Sequence, residues 1–572
     1  MSVARQRRLP WFILGLIMVA AVLTSCRHQR RGEDERVFVV SAKLASAWVR
    51  NFNPFSPNAL WPTRAGVYEP LMIFNTLSGD YVPWLATEYR WGSDGRTLEF
   101  TLRSGVKWSD GRPMTAEDVV YTFELMRSSK ALDGAAVWTR LTSVERVGPS
   151  RVRFTLARRD YPMLGLLAHQ MIVPKHIWSK VKDPLRSVNA DPVATGPYTE
   201  VVTFRTQLFE LGLNPHYWGA KPGMPQRLRL PAYASNDTVS LALVSGEIDW
   251  AGHNVPLIDR TYVARDPEHF GYWFPPYGGM VFLYANVLKA PFHRPQVRRA
   301  LSQAIDRERL VRIGMSGYTR PADGSGLSPT YDRWRCCREE AAEPTRFDRK
   351  AAVAGLKAAG CREVKEGWRC PGLSPQECAR AGRRDCPAEV PLAFTLEVVS
   401  GWSDWIRCAQ LLRQDLQAIG ARVQVKTLDF GAWFDRVQTG SFEVSLGWST
   451  EGITPYETFR QLAASATRRP LGEASPGNWH RYSGAVFDEA LTAMESTAPG
   501  EAQKQLVARM EREFIRELPA IPLFPNPSWG TYSTRLFEGF PNAKRPFAKL
   551  TPHAEPERLL VLTSVRVRGG GR

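Results

Sequence analysis

An uncharged apolar run near the N-terminus decides where the rest of this chain folds. Trp11 to Leu23 spans 13 residues without a charge, with Arg5, Arg7 and Arg8 before it and Thr24-Ser25-Cys26 behind it. A basic start, a short apolar core and a small-residue exit make an export signal. A bilayer-spanning helix needs about 20 apolar residues, so the run is short for a retained anchor. The signal peptide is expected to occupy residues 1–25. A retained anchor helix and a plain secretory signal with an incidental cysteine are the other readings.

The exit tetrapeptide Leu23-Thr24-Ser25-Cys26 resembles the bacterial lipobox, in which the cysteine is acylated and becomes the mature N-terminus. Lipid on Cys26 and a polar tether over 26–35 are expected. Two or more acyl chains hold a membrane stably where one does not. The protein would then be a membrane-anchored lipoprotein facing the periplasm or cell exterior.

The 547 residues from Cys26 onward exceed a single compact core and imply several lobes. No second long apolar stretch follows. The formal charge is +18, of which the leader supplies three positive charges. The basic residues are scattered and no dense basic tract alternates with aromatics, so a solvated basic surface is expected and no nucleic-acid partner.

Eight cysteines occur, and six crowd between Cys336 and Cys386: Cys336, Cys337, Cys361, Cys370, Cys378 and Cys386. An exported chain favours disulfides, but six cysteines allow 15 pairings, so connectivity stays open. A metal site is the alternative. With no C-x-x-C pair and no nearby histidine, no metal and no cofactor are expected. Cys408 shares a helical face with Trp405, Leu412, Leu416 and Ile419, which predicts a buried free thiol.

Strand and helix patterns interleave along the whole chain. Val37 to Ser41 is β-rich, and Thr97 to Leu102 alternates as a half-buried strand does. Thr115 with Asp118 forms a capping box before Val119, Phe123 and Met126. Phe394 to Val399 predicts a strand, Asp404 to Ile419 a helix stopped by Gly420, and Val423, Val425 and Thr427 another strand. The pattern predicts an α/β fold of several lobes.

Spread over this framework are segments that resemble the family 5 extracellular solute-binding proteins, the oligopeptide- and dipeptide-binding components of ABC importers, with relatives for nickel complexes and cello-oligosaccharides. The longest is Leu102-Arg103-Ser104-Gly105-Val106-Lys107-Trp108-Ser109-Asp110-Gly111-Arg112-Pro113, running on to Val120. Thr195-Gly196-Pro197-Tyr198, Asn214-Pro215-His216-Tyr217-Trp218, Ser245-Gly246-Glu247-Ile248-Asp249, Val297 to Arg307 and Leu518 to Leu523 follow in order. The resemblance implies a two-lobed periplasmic-binding-protein fold with a third smaller domain and a hinge of two crossings. By analogy, one lobe takes about 36–75, 190–285 and 526–552, and the small domain 76–189. The other lobe takes 286–525, with a cysteine-rich insert at about 336–390, and a C-terminal tail covers 553–572.

The resemblance also implies a site. In peptide-binding relatives an aspartate after a Gly-Trp pair takes the peptide ammonium; here Gly447-Trp448-Ser449-Thr450-Glu451 puts Glu451 at that place. A carboxylate–ammonium pair is directional and gives specificity. Trp48, Trp61, Trp402, Trp405, Trp433 and Trp448 lie near segments that face the cleft in relatives, where aromatic faces pack on side chains or sugar rings. Tyr277 and Gly278 precede the expected hinge strand and are candidate main-chain contacts. Asn53, in the Asn53-Pro54-Phe55-Ser56-Pro57 break, completes the expected ligand-binding set of Glu451, Trp448, Trp402, Tyr277 and Gly278.

No H-E-x-x-H, G-x-S-x-G, G-x-x-x-x-G-K or G-x-G-x-x-G motif occurs, and no carboxylate pair is singled out, so no enzyme is expected. The expected function is a monomeric receptor that captures a peptide and hands it to the transmembrane subunits of an ABC permease. An oligosaccharide ligand, or a sensor reporting to a membrane receptor, are the alternatives.

Overall fold

Strand Met280–Ala285 is buried at every residue, and its alternate side chains feed two different cores. Val281, Leu283 and Ala285 join Val297, Leu301 and Leu412 on one face; Phe282 and Tyr284 join Trp433, Phe459 and Phe514 on the other. The period of two along a strand enforces this division. The strand belongs to a five-stranded sheet in the order Arg422–Leu428, Ala393–Val399, Val444–Trp448, Met280–Ala285, Ile521–Pro525. The first three strands run parallel, and Met280–Ala285 is antiparallel to both its neighbours. Helices Pro295–Gln303 and Ser403–Gln417 cover one face, and Phe430–Thr439 and Glu501–Glu517 the other.

This computed structural model describes residues 37–569; the leader, Cys26 and the tether lie outside the described residues. A seven-stranded sheet forms the second lobe. Its order is Phe270–Tyr272, Thr531–Ser533, Trp250–Ala251, Val37–Ser41, Arg227–Pro231, Leu208–Leu213, Tyr198–Arg205. A four-stranded antiparallel sheet, Ala86–Trp91, Thr97–Leu102, Arg151–Leu156 and Leu141–Arg146, makes the smaller domain. Helix Ala116–Arg127 packs on it, opened by Asp118, whose Oδ2 accepts from Thr115 N at 2.8 Å. One apolar core runs through both sheets, from Phe38 and Trp250 to Phe100 and Phe154, so the small domain is fused to the second lobe.

Two chain segments cross between the lobes. One leaves strand Phe270–Tyr272 and enters Met280–Ala285; the other leaves Ile521–Pro525 and enters Thr531–Ser533. They lie side by side: Gly278 N donates to Asn526 O at 2.9 Å, Asn526 N to Gly279 O at 2.8 Å, and Ser528 N to Pro275 O at 2.8 Å.

The six cysteines form disulfides 336–337, 361–370 and 378–386, and Cys408 is free and buried. The insert packs into the core of its lobe through Cys361, Trp368 and Cys370. Its three strands, Arg362–Val364, Gly367–Pro371 and Glu389–Pro391, deliver Trp368 to the end of helix Ser403–Gln417, where Nε1 donates to Ile419 O at 2.6 Å. The C-terminal stretch corrects the sequence reading. From residue 553 a tail was expected, but Leu559, Val561, Leu562 and Val565 are buried in the same core as Phe38 and Trp250, and Arg566–Val567 pairs with Phe537–Glu538. Burying four aliphatic side chains is worth several kcal/mol, about 1.5–3 each, which is why this segment folds back. No helix among the described residues is long and apolar enough to cross a membrane.

Candidate functional site

Because strands Ala393–Val399, Arg422–Leu428 and Val444–Trp448 are parallel, the loops after all three leave one edge of their sheet. These loops carry Gly401-Trp402, Asp429-Phe430 and Ser449 to Gly452. Open α/β sheets bind ligands outside this carboxyl edge. Here the edge faces the other lobe: Asn236 N donates to Gly401 O at 3.1 Å, and Asn236 Nδ2 to Asp404 Oδ1 at 3.0 Å. Farther along, Ile258 N donates to Tyr318 OH at 2.8 Å. The lobes therefore meet, and the space between them is bounded by the hinge.

Glu451 stands on this edge beside the hinge. The hydroxyls of Ser328 and Thr330 both donate to its Oε1, the latter at 3.0 Å. Gly452 N, the next amide, donates to Tyr331 OH at 2.7 Å. One segment, Ser328 to Tyr331, thus braces the Glu451 loop. Burial pushes the Glu451 carboxyl above the usual range, while the Lys549 cation and the two hydroxyls pull it back. Lys549 belongs to the opposite lobe; its Nζ donates to Tyr277 O at 3.4 Å and lies 3.7 Å from Glu557 Oε2. A Cβ on Gly279 would lie 3.9 Å from Glu451 Cγ and 2.9 Å from Ser449 O. The structure thereby gathers Glu451, Tyr277 and Gly278 at one place.

The aromatic residues divide. Trp433 is fully buried, stacks on Trp448 with centroids 5.3 Å apart, and donates from Nε1 to Ser445 Oγ at 3.0 Å. Trp405 is buried too, edge-on to Trp402 at 5.0 Å. Above this base Trp402 and Trp448 are half-buried and Phe430 is 38% exposed, with Trp402 6.0 Å from each of the other two. Trp48 and Trp61 lie elsewhere. Both are buried in the opposite lobe's core, donating to Leu230 O and Pro552 O. Asn53 is fully buried; its Nδ2 donates to Pro184 O and Ser187 O, and its Oδ1 accepts from Phe55 N. Both amide protons are spent on the chain itself, so the structure withdraws Asn53 from the set of solute contacts.

Ser328, Thr330, Lys549 and Phe430 were not anticipated from sequence. Ser328 and Thr330 reach Glu451 from more than 120 positions away, and no local pattern carries that pairing. The described residues bring one trio of possible metal ligands together, Cys336, Cys337 and Glu511, but the two sulfurs are bonded to each other.

Residues 80–469 match the bacterial extracellular solute-binding proteins, family 5 (middle). Protein XP55 of Streptomyces lividans is 30% identical over 476 residues, covering 79% of this chain and 78% of its own. The nickel-binding periplasmic protein of Escherichia coli K12 is 26% identical, covering 71% and 75%. Among solved structures, the mannohexaose-bound periplasmic oligopeptide-binding protein of Thermotoga maritima superimposes with a TM-score of 0.81 at 25% identity, over 94% of this chain and 99% of that one. With more than half its length matched, and with two lobes, a smaller domain and a two-stranded hinge, the chain belongs to the family 5 bacterial extracellular solute-binding proteins.

Proposed function

We propose that this protein is an exported, lipid-anchored receptor that closes its two lobes around a short peptide and delivers it to an ABC-type permease. The observation that carries this reading is the braced carboxylate of Glu451 on the carboxyl edge, beside the hinge and opposite the second lobe. Ser328 and Thr330 occupy Oε1, leaving Oε2 for a solute ammonium. A charge-assisted pair of this kind is strong and directional. Trp402, Phe430 and Trp448 supply apolar faces for side chains. A solute touching both lobes binds the closed form better than the open one and shifts the equilibrium by that difference. Acylation at Cys26 would keep the loaded receptor beside the membrane.

The aromatic shelf also favours a second reading, an oligosaccharide stacked on Trp402, Phe430 and Trp448. The Thermotoga maritima relative bound to mannohexaose supports it. Native mass spectrometry of freshly purified protein, followed by calorimetry with peptides and with mannohexaose, decides between them. A retained peptide lost on Glu451→Gln supports the peptide reading. A retained sugar whose affinity ignores that substitution replaces it with the second.

A further inference from the structure

A cavity of about 510 Å³ opens in the lobe of the five-stranded sheet, with Met280 and Pro525 among its lining residues and none of Trp402, Phe430 and Trp448. Five arginines line it, Arg307, Arg320, Arg335, Arg338 and Arg346, against three carboxylates, Asp306, Glu308 and Asp323.

Two of the five, Arg307 and Arg346, have no carboxylate partner among the described residues. Arg307 is buried and donates only to neutral acceptors: Nε to Pro522 O at 2.9 Å, Nη1 to Ser302 O at 2.9 Å and Nη2 to Ser302 Oγ at 2.8 Å. Arg335 has a side chain only 4% exposed; it pairs with Asp323 at 2.7 Å and Glu511 at 3.2 Å, yet its Nη2 has no acceptor. Arg320 and Arg338 share a single carboxylate, Asp332, at 3.7 and 3.3 Å. Arg346 is exposed and enters no ion pair among the described residues. A buried guanidinium without a counter-charge is costly, and an anion beside it repays that cost. Guanidinium groups match oxyanions bidentately.

We propose that this cavity is a second ligand site, separate from the interlobe cleft, for a small multivalent oxyanion. Phosphate and clustered carboxylate groups share the required chemistry, so pyrophosphate and citrate are the two probes.

The test is titration calorimetry of the purified chain with each probe, at ionic strength held constant with sodium chloride. Saturable binding of one or both probes is expected, and which of them binds tells phosphate from carboxylate. Arg338→Gln with Arg346→Gln, both exposed side chains, should weaken binding about tenfold or more, as loss of charge-assisted hydrogen bonds does. Lys549→Gln, which removes the cation beside the hinge in the cleft, should leave it within twofold. Absence of saturable binding overturns the proposal. So does a change below threefold in the double variant whose melting temperature matches the parent, and so does loss of binding in Lys549→Gln, which moves the anion to the cleft.

Discussion

Asn236 Nδ2 donates to Asp404 Oδ1 across the two lobes at 3.0 Å, joining the N-terminal ends of helices Asn236–Val244 and Ser403–Gln417. Asp404 is buried, and burial pushes its carboxyl up to about 6, against the opposing pull of its helix-end amides, Arg407 and Asn236. An acid with a raised pKa binds its proton more tightly in the closed form than when solvated near 4. Between about pH 4 and 6 closure therefore takes up a proton, and raising the pH through that window weakens it. Small-angle scattering of the solute-free protein should show a smaller radius of gyration at pH 5 than at pH 7.5, with a closed-to-open ratio about tenfold higher. Asp404→Asn should remove most of that difference. An identical pH response in the variant would sink the latch.

Solute binding at Glu451 should respond to pH in the opposite sense. Only the ionised carboxylate pairs with an ammonium, and burial raises this carboxyl. In an Asp404→Asn background, which silences the latch, peptide affinity should rise with pH and then level off. Glu451→Gln should weaken binding at neutral pH about tenfold or more and flatten the profile, since a lost charge-assisted hydrogen bond costs about 1.5–3 kcal/mol. Ser328→Ala removes one brace and should shift the profile to higher pH. Calorimetry at pH 5 and pH 8 measures all three; an affinity indifferent to pH in the Asp404→Asn background removes Glu451 as the anchor.

The local elements of this fold were legible because each is written in its own few residues. Thr97 to Leu102 alternates in sequence and alternates half-buried with buried in the fold. The helix expected over Asp404 to Ile419 runs Ser403–Gln417, and the stop at Gly420 has a φ of +86°. Cys408, placed on the apolar stripe of that helix, is buried, which pushes its thiol well above the ordinary range. The misplacements share one cause. The resemblance put Trp48 and Trp61 near the cleft, but their rings are buried in the opposite lobe's core and donate to Leu230 O and Pro552 O. Side-chain direction after a loop is set by distant packing, which no periodicity encodes. The same holds for the brace from Ser328 and Thr330 and for the return of residues 559–565 to the core.

The hinge depends on glycine at two neighbouring positions. A Cβ on Gly278 would sit 2.7 Å from Asn526 O and 3.0 Å from Pro527 O, both backbone atoms of the partner crossing. Gly279 has a φ of +89° and would meet Ser449 O at 2.9 Å. Neither neighbour can swing aside, so Gly278→Ala must part the two crossings. A loss of about 1–3 kcal/mol in unfolding free energy is expected, the usual cost of overpacking. Calorimetric melting together with hydrogen exchange at Asn526 checks both. Parental stability with unchanged protection of that amide would show that the crossings need not touch.

Within residues 37–569 the structure has three disulfides and one free thiol, Cys408. The thiolate is the reactive form, and Cys408 is both fully buried and shifted away from ionisation. Iodoacetamide should therefore modify none of these cysteines in the native protein. In denaturant without reductant it should modify Cys408 alone. After reduction it should also modify Cys336, Cys337, Cys361, Cys370, Cys378 and Cys386. Peptide mapping distinguishes the steps, and digestion before reduction reads the connectivity. A fragment linking Cys361 to Cys378 would contradict the pairing that fastens Trp368 onto helix Ser403–Gln417. Reduction should then loosen that attachment, exposing Trp368 to quenchers while Trp433, which no disulfide holds, stays shielded.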